Sequence, residues 1–159
     1  MTSTITAATL TVTLTEAITL NGYDQGSKNT LTVDNVVEVS KRIVTVTTAE
    51  STIATFSAAV ASAGHYVAAD VRYIRFTNLD DTNFVTLTFR NQDNDEAAIK
   101  LDAGRSFIWN ADNSGGVAAS FNATEDADAA SDTAFGALTN IQADANTGSC
   151  DLEMLIASV

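Results

Sequence analysis

Carboxylates are the only chemically reactive side chains that this sequence supplies in clusters. The clusters are Asp80-Asp81, Asp93-Asp95-Glu96 and Glu125-Asp126-Asp128. Hydrolysis of a glycoside needs two carboxyl groups held across a cleft, one of them usually desolvated by apolar neighbours. The three clusters lie instead in polar stretches that are typical of loops. We interpret them as solvated loop charge, and we predict that the protein is not an enzyme.

One of these clusters has the spacing of a calcium-binding loop. Asn91, Asp93 and Asp95 place oxygen atoms at alternate positions, as such loops do. The glycine that should come next is replaced by Glu96, and the twelfth position holds Asp102 where a glutamate is expected. We therefore keep Asn91, Asp93 and Asp95 as candidate metal ligands, but we predict no bound metal and no other cofactor.

The single cysteine and the single histidine could in principle supply a nucleophile and a base. Cys150, however, is in phase with Leu152, Met154 and Ile156, so strand alternation predicts a buried and inert thiol. Zinc needs several His or Cys ligands, and Cys150 and His65 are too few. Phosphate-binding glycine loops and the G-x-S-x-G nucleophile motif are absent from the sequence. We predict no catalytic residues.

The charge distribution argues against several classes of partner. The formal net charge is −12, from 20 acidic and 8 basic residues, and every charged residue after Arg105 is acidic. Such a surface repels phosphate, so we predict no nucleic-acid partner and no membrane partner. No apolar run is long enough to cross a bilayer, and the N-terminal stretch lacks the parts of a signal peptide. We expect the chain to be made and folded in a cytoplasm.

The strongest strand pattern lies in Val71–Arg90, and the rest of the chain can be placed around it. Its apolar positions, which alternate with polar ones, are Ile74, Phe76, Val85, Leu87 and Phe89. The Asp- and Asn-rich segment Leu79–Asn83 suits a turn of about five residues. We predict a hairpin of two strands here. The predicted core is Ile74, Phe76, Val85, Leu87, Leu152 and Met154.

Further strands follow from β-branched or alternating patterns. They are predicted over Thr9–Thr15, Thr30–Val33, Val36–Thr48, Ala98–Asp102, Ser106–Asn110 and Cys150–Ser158. Asn21-Gly22 predicts a tight turn, and a break in phase at Ser40–Arg42 predicts a bulge, a bend or two strands. For Ala49–Tyr66 the residues allow a helix, but we favour a strand over Ser51–Ser57 followed by a loop. The Ala/Asp/Ser-rich segment Ala111–Asn146 predicts long loops with one or two short strands.

These elements predict an all-β fold, an antiparallel β-sandwich or jelly roll forming a single domain over residues 1–159. The sequence contains no proline, so its sheet edges must be protected by charge, by bulges or by a partner subunit. We expect Thr4–Leu20 to act as an arm or as a strand exchanged between subunits. The predicted interface residues are Leu10, Val12 and Leu14, because their apolar face needs a partner. We therefore predict a homo-oligomer, with a trimer as the favoured form.

Several stretches resemble a group of phage proteins. They are DVRYIRFTNLDDTNFVTLTF, IKLDAGRSFI and the ending TGSCDLEMLIAS, together with TLTVTLTEAITLNG and the strand KRIV. In these stretches the chain resembles small virion structural proteins of tailed phages, especially marine and cyanobacterial ones. The resemblance covers most of the chain apart from Ala111–Thr139, and it consists of strand and turn patterns with no catalytic residues to transfer.

The resemblance implies a capsid decoration or cement protein that stabilises the particle by protein–protein contacts. Its partners would be other virion proteins such as the major capsid protein, and its location would be the virion. A tail or fibre component is an alternative. An alternative from another class is a carbohydrate-binding module that uses Tyr66, Tyr73 or Trp109 as an aromatic platform, although we interpret Trp109 as a core residue.

Overall fold

The computed structural model describes residues 5–111, 113–120 and 138–159. Within these ranges the chain is almost entirely β-structure, which confirms the predicted all-β class. The strands are β1 (Ala8–Glu16), β2 (Thr19–Leu20), β3 (Tyr23–Asp24), β4 (Ser27–Val36), β5 (Glu38–Val46), β6 (Ser51–Ser57), β7 (His65–Val67), β8 (Val71–Asn78), β9 (Val85–Asn91), β10 (Glu96–Leu101), β11 (Ser106–Asn110), β12 (Leu138–Ala145) and β13 (Cys150–Ser158). The described part also contains one helix, α1 (Gly116–Ser120).

Two larger sheets form a sandwich. One sheet has the strand order β10-β9-β12-β6-β7, and the other has the order β11-β8-β13-β5. All neighbours in both sheets are antiparallel except β6 and β7, which are parallel. The antiparallel sandwich is therefore confirmed, while the jelly-roll connectivity stays a prediction.

The core lies between the two sheets and contains every predicted core residue. The side chains of Ile74, Phe76, Val85, Leu87, Leu152 and Met154 are all fully buried. They come from strands of both sheets, because each strand turns alternate residues toward the opposite sheet. Phe56 and Ile141 add to the same cluster from the five-stranded sheet.

The hairpin predicted for Val71–Arg90 is wrong in its pairing. β8 pairs with β11 and β13, whereas β9 pairs with β10 and β12 in the other sheet. The connection between β8 and β9 therefore crosses from one sheet to the other, and the apolar faces of the two strands oppose each other across the core. Alternation predicts which face is apolar, but it does not distinguish strands that are neighbours from strands that face each other.

Asn78 holds this crossing connection in place. Its side chain is fully buried, and its Nδ2 donates to the carbonyls of Asn83 at 2.8 Å and Leu101 at 3.1 Å. Its Oδ1 accepts the backbone N–H of Asp80 at 3.0 Å. The amide thus bonds to backbone groups within the crossing loop and at the end of β10.

The break predicted at Ser40–Arg42 is also wrong, because β5 pairs with β13 in one unbroken register. The apolar positions fall out of phase because two polar residues take core-facing positions at the rim of the sandwich. Ser40 Oγ accepts a hydrogen bond from the Tyr66 hydroxyl at 2.9 Å, and the Arg42 guanidinium donates to the carbonyl of Ile53. Both bonds join β5 to the opposite sheet, so Val39 and Ile43 on the other face of β5 stay exposed.

The sequence predicted the segment before β8 better than the segment after β11. The strand over Ser51–Ser57 followed by a loop is confirmed by β6. In Ala111–Asn146, by contrast, β12 is an eight-residue strand at the centre of the five-stranded sheet, which the prediction of loops with short strands understated. The acidic cluster Glu125-Asp126-Asp128 lies outside the described residues.

Candidate functional site

The loop with calcium-like spacing is held together by its own hydrogen bonds. Asn91 is buried, and its Oδ1 accepts the backbone N–H groups of Asp93 at 2.9 Å and Asp95 at 2.8 Å. Its Nδ2 donates to the Asp95 carboxylate at 3.0 Å. Asn91, Asp93 and Asp95 are thus brought together, but as a turn in which the asparagine oxygen already has two donors. No group of three or more His, Cys, Asp or Glu side chains that could hold a metal ion occurs in residues 5–111, 113–120 and 138–159.

The Asp80-Asp81 pair has a similar structural role. Asp80 Oδ1 accepts the backbone N–H groups of Asn83 at 2.6 Å and Thr82 at 2.8 Å, and these bonds lower the pKa of Asp80. Asp81 accepts a hydrogen bond from the Thr82 hydroxyl at 2.9 Å. The two carboxylates shape the crossing loop, and Asp80 is the one whose charge the backbone stabilises.

Cys150 and His65 lie on different sheets. Cys150 is buried in β13 as predicted, and burial, followed by the nearby Asp80 carboxylate, raises the pKa of its thiol. A raised pKa keeps the sulfur protonated and unreactive at neutral pH. His65 begins β7 and lines a cavity of about 270 Å³ beside Arg42. The structure therefore does not bring the two residues together as a nucleophile and a base.

The aromatic platform considered for carbohydrate binding is not present on the surface. Tyr66 and Tyr73 are only 3% and 4% exposed. Burial also raises the pKa of Tyr73. Trp109 is partly buried and packs edge to face against Phe89, with ring centroids 6.0 Å apart, as expected for a residue at the margin of the core. Stacking on a sugar requires an exposed ring face, which these three residues do not offer as a group.

The largest departure from a closed sandwich is a two-stranded sheet that projects from it. β1 and β4 pair only with each other within the described residues, and we call residues 8–36 the arm. Their register places Leu10 opposite Val33 and Val12 opposite Leu31 on one face. The other face carries threonines from both strands, namely Thr9, Thr11, Thr13, Thr15, Thr30 and Thr32.

The tip of the arm is a tight turn. Asn21 and Gly22 both have positive φ values, 51° and 84°, as a two-residue hairpin turn of the primed type requires. They join the short strands β2 and β3, in which Leu20 pairs with Tyr23. The turn predicted from Asn21-Gly22 is confirmed.

The apolar face of the arm is covered at its base and uncovered toward its tip. At the base, Val33 and Val36 are buried against Tyr73 and Ala157 on the outer face of the four-stranded sheet. Leu10 and Val12 are half-buried next to this cluster. The large apolar side chains nearer the tip are much more exposed than Leu10 and Val12. They are Leu14, Ile18, Leu20 and Tyr23. The predicted interface residues Leu10, Val12 and Leu14 thus lie together on one strand face, at the change from covered to uncovered.

An ionic cluster lies on the same outer face of the four-stranded sheet. The Glu153 carboxylate contacts Lys41 Nζ at 3.2 Å and also pairs with the Arg75 guanidinium. The hydrogen bond from Lys41, followed by the one from Arg75, lowers the pKa of Glu153. This pairing couples β5, β8 and β13 beside the base of the arm.

No known family model matches the chain, and comparisons with curated proteins and with solved structures find no similar protein. In the described part of the chain, no helix is long and apolar enough to cross a bilayer.

The arm is a feature of the fold that the sequence predicted only in part. The prediction identified the N-terminal strand and its apolar face, but it did not identify β4 as the partner of β1, and it placed that strand at Thr30–Val33. β4 actually extends from Ser27 to Val36 and matches β1 almost residue for residue. The two strands flank the Asn21-Gly22 turn, and that symmetric placement was the available signal.

Proposed function

We propose that this protein is a structural component of a phage virion, most specifically a decoration or cement protein that binds the outside of the capsid. It works by protein–protein contacts as a homo-oligomer, with the major capsid protein as its partner in the particle. It has no catalytic role.

The observation that carries this proposal is the arm. Residues 8–36 extend from the sandwich and leave Leu14, Ile18, Leu20 and Tyr23 more than half exposed. Contiguous exposed apolar surface with a polar rim is typical of protein interaction sites. The resemblance to virion structural proteins supports the same interpretation, because such proteins act through subunit contacts.

The net charge of the chain is consistent with a particle surface. Net charge far from zero keeps a protein soluble and suppresses nonspecific association. A chain with a net charge of −12 can therefore expose an apolar arm to one specific partner while the rest of its surface repels other copies.

A tail or fibre component would use the same arm and differs only in its place in the particle. The carbohydrate-binding alternative loses support from the burial of Tyr66 and Tyr73. A glycan array tests it directly: saturable binding that Trp109→Ala removes would favour a module and contradict the structural role.

Immunodetection in purified particles tests the virion proposal. An antibody raised against the recombinant chain is used on tailed-phage particles that have been banded in a density gradient. We expect the chain to co-migrate with the particles in a fixed ratio to the major capsid protein, and gold label to lie on the capsid. Label on the tail would select the tail alternative. Absence of the chain from intact particles would contradict the proposal.

A further inference from the structure

The sequence of β1 has a symmetry that a single copy does not use. Residues 9–15 read TLTVTLT, which is the same in both directions, and Val12 is the centre. In an antiparallel pairing of two such strands centred on Val12, Leu10 of one copy lies opposite Leu14 of the other. Thr11 then lies opposite Thr13, and every residue has a partner of its own chemical type.

This register is favoured over its neighbours. Residues directly opposite each other in an antiparallel pair project on the same face, so a shift by one residue places each leucine opposite a threonine. A shift by two residues keeps like opposite like but shortens the paired segment. Among antiparallel pairings of two β1 strands, the palindrome therefore favours one position of the two-fold axis, at Val12.

The edge of β1 is free to make this pairing. Among the described residues β1 pairs only with β4, and no strand covers its second edge. Ala8–Glu16 contains no lysine, arginine or proline, and its one charge is at its last residue. A long edge strand of this kind is a template for another strand, and natural proteins protect such edges with charge, proline, bulges or short length.

The other exposed edges of the sheets have that protection. β5 carries Lys41 and Arg42, and β10 carries Glu96 and Lys100. The two remaining edge strands, β7 and β11, are only three and five residues long. Within the arm, β4 carries Lys28 and Asp34. The absence of protection is thus confined to β1, the strand whose sequence is symmetric.

We propose that a second copy of this chain covers the edge of β1, by antiparallel β1–β1 pairing about a two-fold axis at Val12. The two arms then form one four-stranded sheet with the order β4-β1-β1-β4. The apolar residues of both copies form a continuous face, and Leu14, which is 52% exposed in one copy, lies beside Leu10 of the other. The opposite face becomes a threonine surface, in which cross-strand Thr–Thr pairs are favourable neighbours.

This inference refines the homo-oligomer of the proposed function and names its contact. A two-fold contact of one patch with itself closes as a dimer. A dimer therefore takes the place of the trimer expected from the sequence. The pairing needs no other virion protein, so the dimer and the virion role can fail separately.

Light scattering on the full chain at micromolar concentration tests the pairing. We expect twice the chain mass of 16.6 kDa for the wild type. The double variant Thr11→Lys/Thr13→Lys places two lysine–lysine pairs across the two-fold axis. Both threonines are exposed in a single copy, so the fold should be kept and the dimer should dissociate at least tenfold more readily. The melting temperature and the far-UV spectrum check that the fold is kept. Both should be the same for the double variant and for wild type that has been diluted until it is monomeric.

A charge-swap experiment tests whether the two β1 strands face each other. Thr11→Glu/Thr13→Glu should also be monomeric, whereas an equimolar mixture of the lysine and glutamate double variants should return to dimer mass. The matched control is Thr30→Lys/Thr32→Lys, on the same threonine face but on β4, and it should stay dimeric. A monomeric wild type, a trimer, or a dimer unaffected by Thr11→Lys/Thr13→Lys would each overturn the proposal. Loss of the chain from virions would overturn the proposed function and leave the dimer standing.

Discussion

The sandwich and the arm contain the same strand pattern with opposite outcomes. In β9, Val85, Leu87 and Phe89 alternate with polar residues and are all buried in the core between the two sheets. In β1, Leu10, Val12 and Leu14 alternate with threonines just as regularly, yet they range from half-buried to exposed. Alternation therefore specifies a strand with one apolar face, while only the tertiary fold decides what covers that face. An apolar face left uncovered in a single chain is where a partner is to be sought.

The largest expected difference between the two regions is in unfolding free energy. Phe76→Ala removes a fully buried ring from the sandwich and should cost about 3–5 kcal/mol, because the cavity can collapse only in part. Leu20→Ala at the arm tip, where the side chain is 60% exposed, should change stability by less than about 0.5 kcal/mol. Urea unfolding followed by tryptophan fluorescence measures both. Equal effects would mean that the arm is part of the cooperative core.

A smaller loss of stability is expected when the buried Asn78 is truncated, and almost none when an exposed polar residue of the arm is truncated. Asn78→Ala leaves the carbonyls of Asn83 and Leu101 without their donor and should cost about 1–3 kcal/mol. Asn29→Ala, which changes an exposed residue opposite Leu14, serves as the control and should be nearly neutral. If Asn78→Ala unfolded at the same urea concentration as the wild type, the crossing loop would not depend on this side chain.

Acid should weaken the sandwich through the ionic cluster at Glu153. Its pKa in the folded protein is lowered, so the unfolded chain binds the proton more readily than the folded one. The contribution of Glu153 is therefore complete above its ordinary pKa of 4.5 and is lost as the pH falls below it. Melting temperatures recorded from neutral pH downward should fall less steeply for Glu153→Gln than for the wild type. The control variant Glu50→Gln, at an exposed residue, should follow the wild type.

The smallest expected effect belongs to the loop at Asn91. Asp93→Asn keeps the backbone N–H that Asn91 Oδ1 accepts, so it should leave the melting temperature unchanged. Millimolar calcium should likewise produce no shift, in the wild type or in the variant. A calcium-dependent rise in melting temperature that Asp93→Asn abolishes would restore Asn91, Asp93 and Asp95 as metal ligands.

The sequence predicted the burial pattern of the strands better than their partners. Residues such as Leu152 and Met154 were correctly placed in the core because alternation has a direct physical cause in the pleat. The pairing of β8 and β9 was missed because a turn-forming segment such as Leu79–Asn83 can join two neighbours or cross between sheets. The bend predicted in β5 was wrong because Ser40 and Arg42 find hydrogen-bond partners on the opposite sheet, which a local pattern does not contain.

The candidate sites show the same division. The spacing of Asn91, Asp93 and Asp95 correctly indicated residues that converge, but the sequence did not reveal that the asparagine oxygen is occupied by backbone donors. For the arm, the apolar face at Leu10, Val12 and Leu14 was evident from the sequence. The identity of β4 as its intrachain partner depends on a turn and a register that become clear only when the two strands are seen paired.

The central positions of β12 and β13 have a consequence for the synthesis of the chain. The two strands come from residues 138–158, yet each lies between strands made much earlier, such as β6 and β9 or β5 and β8. Neither large sheet can close until these residues have left the ribosome, and pairing over such long separations is slow. Until residues 138–158 have been synthesised, the nascent chain exposes the apolar faces of its earlier strands. Before then, the growing chain is a natural client for chaperones that shield unpaired strands.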